Sequence, residues 1–219
     1  SLRAELIGRG ISKSVCTILT QVTVDPYDEA FYAPSKVIGR YMSAEDAQAE
    51  VKKGNYVVEE PGKGFRRVVA TPRPIDIVEI DSIRTLYDAG QVVIACGGGG
   101  IPVIRQDDAL RGASAVIEKD AIAGKLAAEL NADQRIILTG VPCVFTSFGT
   151  DSPTPLDKLT LSEARRLMAG GEFGEGTMKP KIEAAVAFLE SKPGASVLIT
   201  SIEAIDDAAA GKAGTVIRG

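Results

Sequence analysis

A chain of 219 residues can bury one large α/β core or two smaller ones. Its 25 basic and 29 acidic residues leave a net charge of −4, with no basic cluster beyond short pairs such as Arg66-Arg67. That balance argues against nucleic acid or a membrane surface as the main partner. The longest apolar runs, such as VVIAC, fall far below the roughly 18 residues of a bilayer span, and no signal-peptide pattern opens the chain, so the expectation is a soluble cytoplasmic protein. Cys16, Cys96 and Cys143 are isolated, odd in number and without a CxxC, which supports neither a disulfide framework nor a zinc site. Histidine is absent. Any catalysis must then run on lysines, carboxylates, metal ions and backbone dipoles.

In chain order, SLRAELIGRGIS carries apolar residues at helical spacing and a glycine stop at Gly10, the pattern of a helix's last turns. VCTILTQVTV reads as one strand. The loop DPYDEAFYAPSKVIG follows, with Lys36 in a segment punctuated by Pro and Gly rather than on a regular element. From Gly39 to Pro74, Ser43 caps a helix, AEDAQAEVKKG, whose acidic residues lie in the first turn and lysines in the last, as the macrodipole prefers. NYVVEE and FRRVVA flank Pro61-Gly62-Lys63-Gly64 as a hairpin. This helix plus hairpin is either a small inserted subdomain or an ordinary surface excursion.

IDIVEIDSIRTLYDAG gives a short strand or turn and an amphipathic helix ended by Gly90. QVVIAC is five apolar residues behind a Gln, the pattern of a parallel strand buried on both faces. Gly97, Gly98, Gly99 and Gly100 follow at once. Each ordered glycine costs about 0.5 to 1 kcal/mol relative to Ala, so four in a row need a reason. One is close approach of a ligand to bare backbone, with successive N–H groups converging on an anion at the carboxyl end of the strand. The other is a flexible hinge. A polar loop spans Gln106 to Gly112, AVIEKD is a short strand entering a helix, and Ala121 to Leu130 is an Ala/Leu-rich helix. RIILTGVPCVF is a second strand with a glycine turn, completing a strand, helix, strand order. A capped helix, TLSEARRLMAGG, a third glycine-rich turn, GEFGEGTMKPK, and the helix IEAAVAFLES come next. The strand ASVLITS, a short helix and a terminal edge strand, GTVIRG, close the chain.

Three lysines stand beside turns. Lys36 lies in APSKVIG, and Lys119 and Lys181 lie at helix starts. An ammonium at a helix N-terminus is unfavourable unless an anion shares the site, and phosphate is the obvious candidate. The plainer reading is three exposed lysines among many. Asp120 can hold Lys119 in position, bind Mg²⁺ through water, or serve as an acidic helix cap. No GxxxxGK[ST] occurs, which excludes a P-loop, and no GxGxxG with a downstream acid supports a Rossmann dinucleotide site.

TQVTVDPYDEAF, PSKVIG, RRVVATPRP, GGGGIPV, AVIEKD, ILTGV and GTMKPKIEAA, in this order, resemble carbamate kinase of the amino acid kinase superfamily. The resemblance runs the length of the chain. It implies an α/β fold, a three-layer αβα sandwich with a largely parallel sheet and a small protruding subdomain, assembled as homodimers. It implies phosphoryl transfer between ATP and carbamate, or ATP formation from ADP and carbamoyl phosphate in arginine or related nitrogen catabolism, with Mg²⁺. Residues 1–38 would be the remainder of an N-terminal lobe, 39–74 the subdomain, 75–110 the end of that lobe, and 111–219 a C-terminal nucleotide-binding lobe.

By the same resemblance, Lys36, Lys119 and Lys181 neutralise the transferring phosphoryl group and Asp120 organises them. Gly97 to Gly100 form one wall of that site. Thr139, Gly140, Val141, Phe145 and Met178 receive the nucleotide, and no residue is assigned as a direct metal ligand. Departures are mild: Ala33, Ser35 and Val37 stand for the family's Asn, Thr and Pro, Glu118 for an Asp, Thr177 for a Ser and Phe145 for a tyrosine. The family's GGNA and GNGPQVG turns do not occur in these 219 residues. The expectation is therefore an enzyme lacking part of its anion-binding backbone, with a split nucleotide-binding subunit, or a related kinase acting on another acceptor, as the alternatives.

Overall fold

The computed structural model describes residues 1–174 and 176–219. Backbone contacts divide the chain into two units, Ser1–Ile122 and Ala123–Gly219.

The first unit opens with helix α1 (Leu2–Gly8). The run expected as one strand is two, β1 (Val15–Thr17) and β2 (Gln21–Thr23). The break has a cause in pairing. After β3 (Lys36–Met42), α2 (Ala44–Lys52), β4 (Tyr56–Glu60), β5 (Gly64–Val69), β6 (Asp76–Ile77) and α3 (Ile80–Asp88) come β7 (Val92–Ile94) and β8 (Ile101–Gln106). β1 runs parallel to β7 and β2 parallel to β8, so the first chain must pause where its partner makes the glycine turn. β7 is less covered than its composition suggests: Val92 and Val93 are half-buried and Ile94 is exposed, with β1 its pairing partner among the described residues. The expected polar loop from Gln106 is instead a hairpin, in which β9 (Ala109–Gly112) pairs antiparallel to β8 around Asp107 at φ 52°.

The segment from β3 to β5 is a helix on a three-stranded antiparallel sheet, ordered β3-β5-β4. The β4/β5 hairpin is the one the sequence announces, and Ser43 Oγ accepts the Asp46 N–H at the start of α2 as its capping position requires. Lys36 was expected in a loop. It is the first residue of β3, paired with Val69, because β5 offers it and the residues that follow a ladder that local sequence does not reveal. The expected strand in AVIEKD reduces to one isolated bridge, Ala70 to Ala115. Helix α4 (Lys119–Glu129) follows, and the boundary between the units falls within it.

The second unit holds β10 (Gln134–Thr139), β11 (Val144–Thr146), β12 (Thr154–Leu156), β13 (Lys158–Thr160), α5 (Leu161–Ala169), α6 (Lys179–Ser191), β14 (Ser196–Ser201), α7 (Ile205–Ala209) and β15 (Thr215–Arg218). Thr160 and Glu163 form the capping box that opens α5. β10 and β14 are parallel, β15 is antiparallel to β14, and β13 is parallel to β15. The sheet order is thus β10-β14-β15-β13. β15 was expected at the edge; it lies inside the sheet because β13, a three-residue strand too short to show periodicity, covers its far side. α6 buries Ile182, Ala184, Ala185, Val186, Phe188 and Leu189, packing with Ile137, Val197, Ile199 and Ile217 of the sheet into one core. The chain is α/β, with parallel strand pairs in both units.

Thr215 joins this core to the β11/β12 hairpin. Its side chain is wholly buried, its hydroxyl accepts the Val144 N–H at 2.8 Å, and it donates to the Leu156 carbonyl. Thr215→Val keeps the shape and orphans a buried N–H, so it should cost about 1 to 3 kcal/mol, read as a lower urea midpoint with an unchanged slope.

Candidate active site

Gly97–Gly99 form a 3-10 turn, broken by Gly98 at φ 70°, between Cys96 at φ 54° and Gly100 at φ 84°. The four glycines do not share one purpose. A Cβ on Gly99 would lie 2.2 Å from the Ile117 carbonyl oxygen, and one on Gly100 would lie 2.8 Å from Val22 Cγ2, both at positive φ. These two are glycine because protein backbone and core already occupy the space. Gly97 and Gly98 face open space, with Gly98 at φ 70°.

Thr20 anchors the turn from the other side, and sequence reasoning did not single it out. Its buried hydroxyl accepts the Cys96 N–H at 2.9 Å and donates to the Ile18 carbonyl at 3.0 Å, while its own carbonyl accepts from Ile101 N–H at 2.8 Å. It thus fills the gap between β1 and β2 and fixes both ends of the glycine turn. Burial pushes the Cys96 thiol above its ordinary range, against the thiolate that reactivity would need.

The packing of Gly99 on Ile117 sets the turn beside the segment Glu118-Lys119-Asp120 that starts α4. Lys119 is exposed there, and Asp120 is a buried carboxylate, 7% accessible. Lys36 Nζ forms an ion pair with Glu118 Oε2 at 2.7 Å. Among the unit's expected site residues, then, Gly97 to Gly100, Lys119 and Asp120 share one neighbourhood, and Lys36 is tied to it through Glu118.

In the second unit Thr139, Gly140, Val141, Phe145 and Met178 line one cavity of about 360 Å³. Phe148, Glu172, Phe173, Gly174 and Thr177 complete its wall; of these only Thr177 was named from the sequence, as a departure from the family's Ser and not as a site residue. Phe145 and Phe148 stand 6.0 Å apart at 46°, a tilted aromatic pair, with Phe148 exposed. The intervening Ser147 sits at φ 52° and donates its N–H to Glu172 Oε2 at 3.2 Å. The Gly174 carbonyl accepts from the N–H groups of Thr177 and Lys179, both at 3.1 Å. That turn delivers Met178 to the cavity and starts α6, whose third residue is the half-buried Lys181. An apolar slot with a few directed polar groups suits a flat heteroaromatic base. No group of three or more His, Cys, Asp or Glu able to hold a metal stands together among the described residues.

The amino acid kinase family model matches residues 9–201, most of the chain. The chain belongs to the amino acid kinase family. Within that family it is 48% identical over 217 residues to a carbamate kinase-like protein of Escherichia coli, spanning 99% of this chain and 70% of that one. It is 47% identical over 219 residues to carbamate kinase 3 of Staphylococcus aureus, covering all of this chain and 71% of the relative. Among solved structures, carbamate kinase from Giardia lamblia bound to AMP-PNP superposes with a TM-score of 0.90 at 36% identity, over 99% of this chain and 69% of that one. The chain's sequence and fold place it with the carbamate kinases of that family.

The glycines divide testably. Gly97→Ala should leave stability within about 0.5 kcal/mol while raising the KM for the phosphorylated substrate, because its methyl enters open space where a ligand would lie. Gly99→Ala should cost about 3 kcal/mol or more in urea unfolding, since its methyl meets a carbonyl at positive φ.

Proposed function

We propose that this chain performs the carbamate kinase reaction: phosphoryl transfer between ATP and carbamate, run in reverse as ATP formation from ADP and carbamoyl phosphate. The observation that carries the proposal is the 360 Å³ cavity, where five residues drawn from two separate motifs meet on one apolar surface with Phe145 and Met178 as walls. Membership of the carbamate kinase branch supplies the substrate class, and the AMP-PNP complex of the Giardia enzyme supports an adenine nucleotide as the occupant.

In this reading the adenine lies against Phe145 and Met178, with Thr139, Gly140 and Val141 offering backbone groups to base or ribose. Lys119 and Lys181, each on the first turn of a helix, place fixed positive charge where the N-terminal N–H groups already favour anions. Lys36 adds a third cation. Asp120, buried in the first turn of α4, organises the cations. Gly97 and Gly98 give backbone donors to phosphoryl oxygens. The transferring group spreads charge over three oxygens, and catalysis consists of positioning plus charge neutralisation.

Mg²⁺ fits this donor set. Mg²⁺ would be held chiefly by nucleotide phosphates and its own waters, so it needs no three-carboxylate cage, and Asp120 would be the carboxylate to hold it through water. When bound it neutralises charge on the phosphate oxygens. A homodimer working in the cytoplasm completes the proposal. No helix among the described residues is long and apolar enough to cross a membrane.

The test is ATP formation from ADP and carbamoyl phosphate. Lys119→Ala should lower turnover by about 10² to 10³, and Phe145→Ala should weaken ADP binding by about tenfold with kcat little changed. Near-full turnover in Lys119→Ala removes that lysine from the transfer site. Silence with carbamoyl phosphate, together with turnover of another acyl phosphate, moves the chain to a different acceptor within the same family.

A further inference from the structure

Lys36 and Glu118 lie 82 positions apart in sequence and meet at 2.7 Å. Lys36 opens β3, while Glu118 is the residue before Lys119, and its carbonyl accepts the Ile122 N–H at 3.1 Å in the opening turn of α4. We propose that Glu118 is a positioning residue: its carboxylate is the resident counterion that holds the Lys36 ammonium beside the start of α4 until the substrate's phosphoryl group takes that ammonium over. The inference rests on the reading of Lys36 and Lys119 as cations of the transfer site.

The need for such a counterion follows from charge. Two ammoniums and the partial positive charge of a helix N-terminus repel one another in an empty site, and a lysine on a flexible four-carbon stem escapes into water unless something restrains it. Glu118 restrains it from the backbone position next to Lys119, so Lys36 is kept within one residue of the second cation before any anion binds. The strength of the pair also suits an exchangeable hold. Its side chains are 44% and 27% exposed, so the pair is solvent-screened and weak enough for an incoming phosphoryl dianion to displace. A fully buried pair would resist exchange, because freeing one partner would strand the other charge. Glutamate also provides one methylene more of reach than aspartate at the same backbone position.

Two readouts test it, one of them independent of activity. The first is acetylation of Lys36 by acetic anhydride in the ligand-free chain, followed by peptide mass spectrometry. Glu118→Gln should raise the rate about two- to fivefold, the range expected on losing an exposed pair. The second is kcat/KM for carbamoyl phosphate. Glu118→Gln should lower it by about two- to fivefold through loss of positioning, with the melting temperature unchanged. Glu118→Asp should recover part of that loss, and in a Lys36→Met background Glu118→Gln should cost nothing further.

Unchanged Lys36 labelling in Glu118→Gln overturns the pair. Additive losses for the two substitutions, or an aspartate variant no better than glutamine, overturn the positioning role. A Lys36→Met protein that turns over like the wild type defeats the parent reading of Lys36 instead, and the labelling ratio still decides whether Glu118 holds the ammonium.

Discussion

The approach of Gly99 to the Ile117 carbonyl governs the first unit's site. No side chain fits between them, so the glycine turn and the chain entering α4 are held at backbone contact distance. Everything chemically suggestive in that unit hangs from this contact. It brings the open faces of Gly97 and Gly98 to the segment bearing Lys119 and Asp120, and it brings Glu118 to where Lys36 can reach it. Thr20 completes the arrangement by taking up the polar groups that the break between β1 and β2 would otherwise leave unpaired. Rigid packing on one side and satisfied hydrogen bonds on the other give a turn whose open half is set by its core-facing half.

That division bears on how glycine runs are interpreted. From sequence alone four consecutive glycines suggest a uniform cradle. Here Gly99 and Gly100 answer to the protein's own interior, while Gly97 and Gly98 border open space, Gly98 with the left-handed backbone that favours glycine. A second turn, at Gly174, follows a different plan: its carbonyl gathers the N–H groups of Thr177 and Lys179.

Local chemistry was legible in the sequence where it acts locally. Ser43 and Thr160 cap the helices they precede, and the Pro-Gly-Lys-Gly segment turns the hairpin it divides, because each needs only neighbours within a few residues. Pairing decided at long range was not legible. Three-residue strands such as β1, β2, β12 and β13 have no measurable period, and Lys36 reads as loop until β5 supplies its ladder. The interior place of β15 depends wholly on β13, more than fifty residues earlier. The cavity shows the same split. Motif resemblance delivered Thr139, Gly140, Val141, Phe145 and Met178 but not Phe148 or Glu172, whose contribution depends on the left-handed backbone at Ser147, where no glycine marks the bend.

The absence of histidine, which at first narrows the chemistry, agrees with the reaction proposed. Carbamate presents an anionic oxygen with no proton to remove, and the group transferred to or from it demands charge neutralisation rather than a base. A site of lysines, a buried aspartate and backbone N–H groups is sufficient in kind for such a step. Its difficulty is electrostatic instead: cations must be assembled before the anion that justifies them arrives. The ion pair between Lys36 and Glu118 addresses that difficulty with a carboxylate already in the chain, next to the lysine whose charge it must offset.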